Sequence, residues 1–267
     1  LVNNYFAALL EPGHFSCLGY SYRLLVVPVQ VFYGAMAVAL LPALADRVAA
    51  GDHQEIERMI GRAFRMLLLL MGPMVLGMAA FGEPVVRLAF GRGSFGQNWV
   101  ELTALLLLCQ APMMLSEILR QPLATLYFAY GKARMPVFFG LIRTALLLAI
   151  FPFVWRDYGA VGIALGMVVA DAIVVVVMLV LARRLFGLRL PGMAVFSAKL
   201  AGVTTVVLAL GLGLWSELES AGLTRSGFFM DALLLGSVAA LSALGILAGT
   251  RLLGIKEGAE LLRLVQG

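Results

Sequence analysis

Charge is what this sequence has least of. Only 13% of its 267 residues are Asp, Glu, Lys or Arg, while 62% are hydrophobic. A soluble domain runs nearer a quarter charged and half apolar. No single core could hide that much apolar surface from water. The balance excludes a soluble enzyme, a nucleic-acid-binding domain and a disordered chain. The formal charge of +5 does not restore a nucleic-acid reading, because the basic residues sit in short loops between apolar runs. Cysteine and histidine are scarce as well. Cys17 and Cys109 set no disulfide framework, and each falls in or beside an apolar run, where a small buried thiol is the ordinary reading. His14 and His53 lie in different predicted loops and suggest no metal site. No basic segment followed by a cleavage site opens the chain, so no signal peptide is visible. There is no HExxH and no Cys-x-x-Cys, and Gly131-Lys132 lacks the upstream glycine and the Ser/Thr of a P-loop. Nor do carboxylates cluster at metal-ligand spacing. The expectation is an integral membrane protein that is not an enzyme and has no cofactor or metal.

What is present is a series of long apolar runs. A bilayer core of about 30 Å needs roughly 20 apolar residues in a helix. Leu1 to Leu10 reads as the last part of such a helix whose start is missing. Seven further spans are predicted at Ser16–Leu44, Ala63–Phe81, Leu102–Tyr130, Val137–Trp155, Ala160–Leu181, Val195–Trp215 and Phe228–Thr250. Alternate loops differ in charge. One set, with the C-terminal tail, holds thirteen of the 20 basic residues. The other holds Arg87, Arg92, Arg156 and Arg225. The positive-inside rule places the richer set and the C-terminus in the cytoplasm. Between Ala45 and Arg62, Asp52 and Glu55 have the spacing of a capping box. The stripe Ile56, Met59, Ile60, Ala63, Phe64 then predicts a short, lipid-facing surface helix running into the next span. Pro28, Pro73, Pro112, Pro122 and Pro152 predict bends, which in transporters line cavities and move but are also common in any membrane helix. Gly162-x-x-x-Gly166 and Gly245-x-x-x-Gly249 predict close helix contacts.

Charge inside the bilayer is expensive and functional by default. Arg23 lies about two turns into its helix, where its fork of donors suits a phosphate; the alternative is an arginine snorkelling to the outer headgroups. Glu117 and Arg120 share a helix face and can neutralise each other. Arg143 and Asp171 lie on consecutive, oppositely running spans at depths that differ by about 5 Å. They can form an interhelical ion pair, as structural glue or as a switch. The four are candidate cavity or gating charges, and an arginine-lined cavity in a bent helical bundle suggests an anionic substrate.

Three segments carry a family resemblance. Ser16-x-x-x-Tyr20-Ser21-Tyr22-Arg23-Leu24, then Pro28, then Leu40-Leu41-Pro42, resembles the "YADRL…P…LLP" stretch of the MviN/MurJ family of lipid II flippases. Glu83-Pro84-Val85-Val86-Arg87-Leu88-Ala89-Phe90-Gly91-Arg92-Gly93-Ser94-Phe95 is similar to its "EPIVRLLFGRGAF" segment, and Tyr127 to Pro136 to its "FYALGDTRTPV" loop. The order and spacing of all three agree. The resemblance implies an all-α, polytopic fold of the multidrug/oligosaccharidyl-lipid/polysaccharide exporter superfamily. Residues 1–190 would be the second six-helix lobe with its first helix truncated, and 191–267 two extra helices, grooved for a lipid tail, plus a cytoplasmic tail. It further implies alternating access in the bacterial cytoplasmic membrane, a polyprenyl-diphosphate-linked glycan as substrate, contact with membrane lipids, and a missing N-terminal lobe as partner. The family's cavity arginine falls at Arg23 and its serine at Ser16, both expected to bind substrate. Departures are Tyr22 for an Asp, Val26 for a Glu found in some members, and Lys132 for an Asp. Asn3 stands where some members have an acidic sodium ligand, and 146–153 offers no Asn or Asp to complete such a site. These weigh against sodium coupling and leave export of another lipid-linked glycan as the alternative cargo. A small-molecule antiporter of the superfamily would favour cations, against the basic cavity. A polyprenyl-phosphate enzyme would have to draw on Asp46, Asp52, Glu55 and Glu57, whose surroundings read as a capped surface helix.

Overall fold

The computed structural model describes residues 5–6, 9–91, 95–220 and 228–252, and every regular element in it is a helix. These are α1 (His14–Ala49), α2 (His53–Ala80), α3 (Gly82–Phe90), α4 (Gln97–Ala129), α5 (Arg134–Phe186), α6 (Met193–Ser220) and α7 (Phe228–Leu252). Five helices among the described residues are long and apolar enough to cross a membrane: His14–Gly34 within α1, then α2, α4, α5, and Met193–Leu218 within α6. The chain is thus an all-α, polytopic membrane protein. Asn3, Arg92, Arg225, Lys256, Arg263 and the side chains of Asp231 and Arg251 lie outside the described residues.

The 53 residues of α5 are two helical arms that meet at Gly159, whose φ of 53° and ψ of −131° fall outside the helical region. A positive φ costs glycine nothing and strains any residue with a Cβ. The break therefore sits at the expected separator between two spans, and the helical assignment runs on through Pro152 and through Pro28, Pro73, Pro112 and Pro122. Gly162 and Gly166 let the arms close on each other. A Cβ on Gly162 would lie 2.8 Å from Tyr158 Cβ, and one on Gly166 would lie 3.0 Å from Phe151 Cε1. Gly245 does the same between α7 and α6, where a Cβ would meet Val207 at 3.3 Å.

Helix α4 is the centre of the bundle and touches α1, α2, α3 and α5. Two apolar layers surround it. One joins Leu25, Met71, Leu106, Met114, Phe151 and Ile163; the other joins Leu44, Ile60, Phe64, Tyr127, Phe139 and Met178. The second layer corrects an expectation. The stripe Ile56, Ile60, Ala63 and Phe64 is buried in the bundle instead of facing lipid, because the start of α2 joins one apolar cluster with the C-terminal ends of α1 and α4 and with both ends of α5, which hides a whole helical face. Asp52 caps that helix, its Oδ1 accepting from Glu55 N–H at 3.1 Å. Glu55 does not return the bond of a full capping box; it pairs with Arg58 at 3.0 Å. Helices α6 and α7 pack on each other and rest on α2 and α3, through Leu69, Phe196 and Leu200 and through Phe81, Leu208 and Val238. Large apolar side chains such as Val38 and Phe153 stand exposed around the bundle, as a lipid-facing surface requires.

Candidate functional site

A cavity of about 730 Å³ opens between α1, α4 and α5. Helical periodicity aims its lining inward: Ser16, Tyr20 and Arg23 recur on one face of α1, and Gln110, Met114, Glu117 and Arg120 on one face of α4. The two arms of α5 supply Arg143 from one side of the break, and Met167 and Asp171 from the other. All six residues singled out in the sequence (Ser16, Arg23, Glu117, Arg120, Arg143 and Asp171) line this one space.

Its electrostatics follow from who is paired with whom. Arg120 binds Glu117 side-on, Nε donating to Oε2 at 2.8 Å and Nη2 to Oε1. Gln121 Nε2 donates to the same carboxylate at 2.7 Å. Arg143 grips Asp171 in the same manner, Nε to Oδ1 and Nη2 to Oδ2, the latter at 3.1 Å. This ion pair crosses the Gly159 break and ties the two arms together. Arg23 is exposed to the cavity and has no hydrogen-bond or ion-pair partner among the described residues. Three arginines against two carboxylates leave one net positive charge, and it resides on Arg23.

Sequence reasoning passed over Gln110. It is fully buried, its Oε1 accepts from Ser21 Oγ at 3.3 Å, and its Nε2 has no partner. The visible signal was the polar series Gln110, Glu117, Gln121 at helical spacing in an otherwise apolar run. Among the described residues no three His, Cys, Asp or Glu side chains converge as a metal site would need. Cys17 is buried and Cys109 half-buried, both as free thiols. A second cavity, about 590 Å³, lies between α2, α3, α6 and α7 and is lined almost wholly by apolar side chains, among them Leu69, Met74, Phe81, Val85, Leu208 and Ile246.

An arginine-bearing cavity inside a bundle of membrane-spanning helices is an arrangement that a membrane carrier can use. Comparison with known proteins agrees. The model of the family described as "Lipid II flippase MurJ" matches residues 1–232. A probable lipid II flippase MurJ of Vibrio cholerae is 30% identical over 264 residues, 94% of this chain and 49% of that protein. One of Bdellovibrio bacteriovorus is 29% identical over 237 residues, 88% of this chain and 45% of that protein. A solved structure, "Lipid II flippase MurJ, inward closed conformation", superposes with a TM-score of 0.71 at 16% identity, over 95% of this chain and 50% of that one. The chain belongs to the lipid II flippase MurJ family, whose members are carriers and not enzymes. It spans about half the length of the curated relatives it matches.

Proposed function

We propose that this chain forms one half of a flippase that carries a polyprenyl-diphosphate-linked glycan, lipid II in the first instance, across the bacterial cytoplasmic membrane by alternating access. One observation carries the reading: an unpaired arginine, Arg23, stands in a cavity within the membrane-spanning bundle. A cation without a counter-ion inside a membrane-spanning bundle is costly, and a phosphate bound in the cavity would satisfy it with charge-assisted, bidentate hydrogen bonds. Ser16, two turns earlier on the same helix face, adds a hydroxyl to the same wall.

In this reading residues 1–190 make one wall of the transport cavity, and a second lobe, homologous to the other half of the relatives, makes the facing wall. The apolar cavity between α2, α3, α6 and α7 would take the lipid tail, since it offers hydrocarbon contact and almost no polar group. The loop-charge asymmetry supports a cytoplasmic C-terminus. Tyr22, in the cavity lining beside Arg23, supports the narrower alternative that the glycan is not lipid II.

The test is depletion of the protein in its host, followed by mass spectrometry of polyprenyl-linked intermediates. Lipid II building up on the cytoplasmic side is the expected outcome. Build-up of another lipid-linked glycan would shift the cargo, and no build-up at all would refute the reading. In rescue of that strain, Arg23→Ala should express normally and fail to restore export.

A further inference from the structure

Arg120 and Arg143 look neutralised, and a neutralised arginine would contribute nothing to anion binding. The geometry of the two pairs says otherwise. Each guanidinium meets its carboxylate through the same edge, Nε and Nη2. Among the described residues, Nη1 of neither arginine makes a hydrogen bond, so each keeps an unused donor edge in a cavity that both side chains line. Exposure points the same way. Arg143 is 29% exposed against 8% for Asp171, and Arg120 is 35% exposed against 20% for Glu117. All four side chains line the cavity, and in both pairs the cation is the more exposed member.

A carboxylate on one edge fixes the arginine's rotamer and plane, and with them the direction of the free edge. It does not compete with an incoming anion, because the two use different edges. The alternative, in which an anion pulls Arg143 off Asp171, would strand a carboxylate that is almost fully enclosed. We propose that Arg120 and Arg143 are anion-binding residues that present their Nη1 edges to a diphosphate also held by Arg23, and that Glu117 and Asp171 are positioning residues. Three guanidiniums from three helices offer more donor edges than the two oxygens of a carboxylate ligand could take up, and the several oxygens of a diphosphate suit them better. The proposal rests on the anionic-substrate reading above and extends it to the ligand's anionic group. The Asp171 pair also spans the Gly159 break, so a ligand seated on Arg143 contacts both arms of α5 at once.

The experiment is titration of the detergent-purified protein, as its own gene encodes it, with inorganic pyrophosphate and with farnesyl diphosphate. The variants are Asp171→Asn and Glu117→Gln. Both remove a negative charge from the neighbourhood of an anion site, so electrostatics alone would tighten binding. Loss of positioning would weaken it, by about three- to tenfold, the equivalent of about one ordinary hydrogen bond. Weaker binding of either ligand is the expected result; unchanged or tighter binding of both overturns the proposal. Tighter binding of farnesyl diphosphate than of pyrophosphate would identify a lipid-linked headgroup, and equal binding a free diphosphate, and either keeps the site as assigned. Should a single variant fold poorly, the uncharged pair Arg143→Met/Asp171→Leu replaces it, and this should weaken binding about tenfold or more. Wild-type affinity in that double variant would reduce the pair to a tie between arms. If Arg23→Ala abolishes export while Asp171→Asn binds as wild type does, only this inference fails. If Arg23→Ala exports normally, the reading beneath it fails first.

Discussion

Breaking the Arg143–Asp171 pair from its two ends should cost unequal amounts of stability. Arg143→Met leaves Asp171 without its counter-ion, and Asp171 is only 8% exposed. A carboxylate so enclosed has little access to water, which places this variant in the range of about 3–5 kcal/mol found when one partner of a buried pair is removed. Asp171→Leu leaves Arg143 instead. That side chain is 29% exposed and already lines the cavity, so it can rehydrate its charge by a small rotation. Its loss is then nearer that of a charged hydrogen bond, about 1.5–3 kcal/mol. The double variant Arg143→Met/Asp171→Leu removes both charges and fills the site with apolar volume, and should return to within about 1 kcal/mol of wild type. The assay is the temperature at which purified protein in detergent loses its monodisperse size-exclusion peak. The expected order is wild type and double variant highest, Asp171→Leu next, Arg143→Met lowest. Equal losses in the two single variants, or a larger loss in Asp171→Leu, would refute the claim that the carboxylate is the enclosed member.

Other expectations can be checked in the same assay. Asp52→Ala removes the N-cap bond to Glu55 N–H and should cost about 1 kcal/mol, measured as an earlier thermal transition; an unchanged transition would mean that bond is not made. Tyr127→Phe keeps the ring among Phe139 and Phe186 but loses the hydroxyl that donates to Met178 O at 2.9 Å. A loss of about 1 kcal/mol is expected, and a loss several times larger would show that the ring itself has moved. Gly166→Val places a branched side chain where a Cβ already comes within 3.0 Å of Phe151, so it should sharply lower the yield of folded protein; wild-type yield would show that the two arms of α5 do not close there. Gln110→Leu trades a buried amide with an unpartnered Nε2 for an apolar chain of similar size. It should be neutral or stabilising, and clear destabilisation would show that Nε2 has a partner in solution.

Much of this protein is written in its composition. Although the short α3 falls outside every expected span, the apolar runs are long and the loops short, so bilayer thickness marks out the long helices. Gly159 falls at an expected separator for that reason, and the family signature between Ser16 and Pro136 is likewise a property of the linear order. The charged residues could be singled out one at a time because any charge in such a run needs a reason. Their partners were legible where the spacing is local, as for Glu117 and Arg120, three apart on one helix, and where consecutive spans carry opposite charges at similar depth, as for Arg143 and Asp171.

Packing decided the rest. The stripe at the start of α2 has one periodicity whether it meets lipid or protein, and lipid tails are as apolar as a core, so only the positions of α1, α4 and α5 show that it is buried. The depths of Arg143 and Asp171 allowed their pairing, but that the two arms of α5 close far enough to make it, while Arg23 has no partner among the described residues, is decided by packing. Gln110 acquired its meaning in the same way: a glutamine in a run of leucines and methionines gains a role only when the fold closes a cavity against it. The sequence by itself determined the helices, the family and the set of charges, because these depend on local hydrophobicity and order. The tertiary structure decided which charges meet, which edge of each guanidinium is left free and what encloses the cavity, because those depend on distances between helices far apart in the chain.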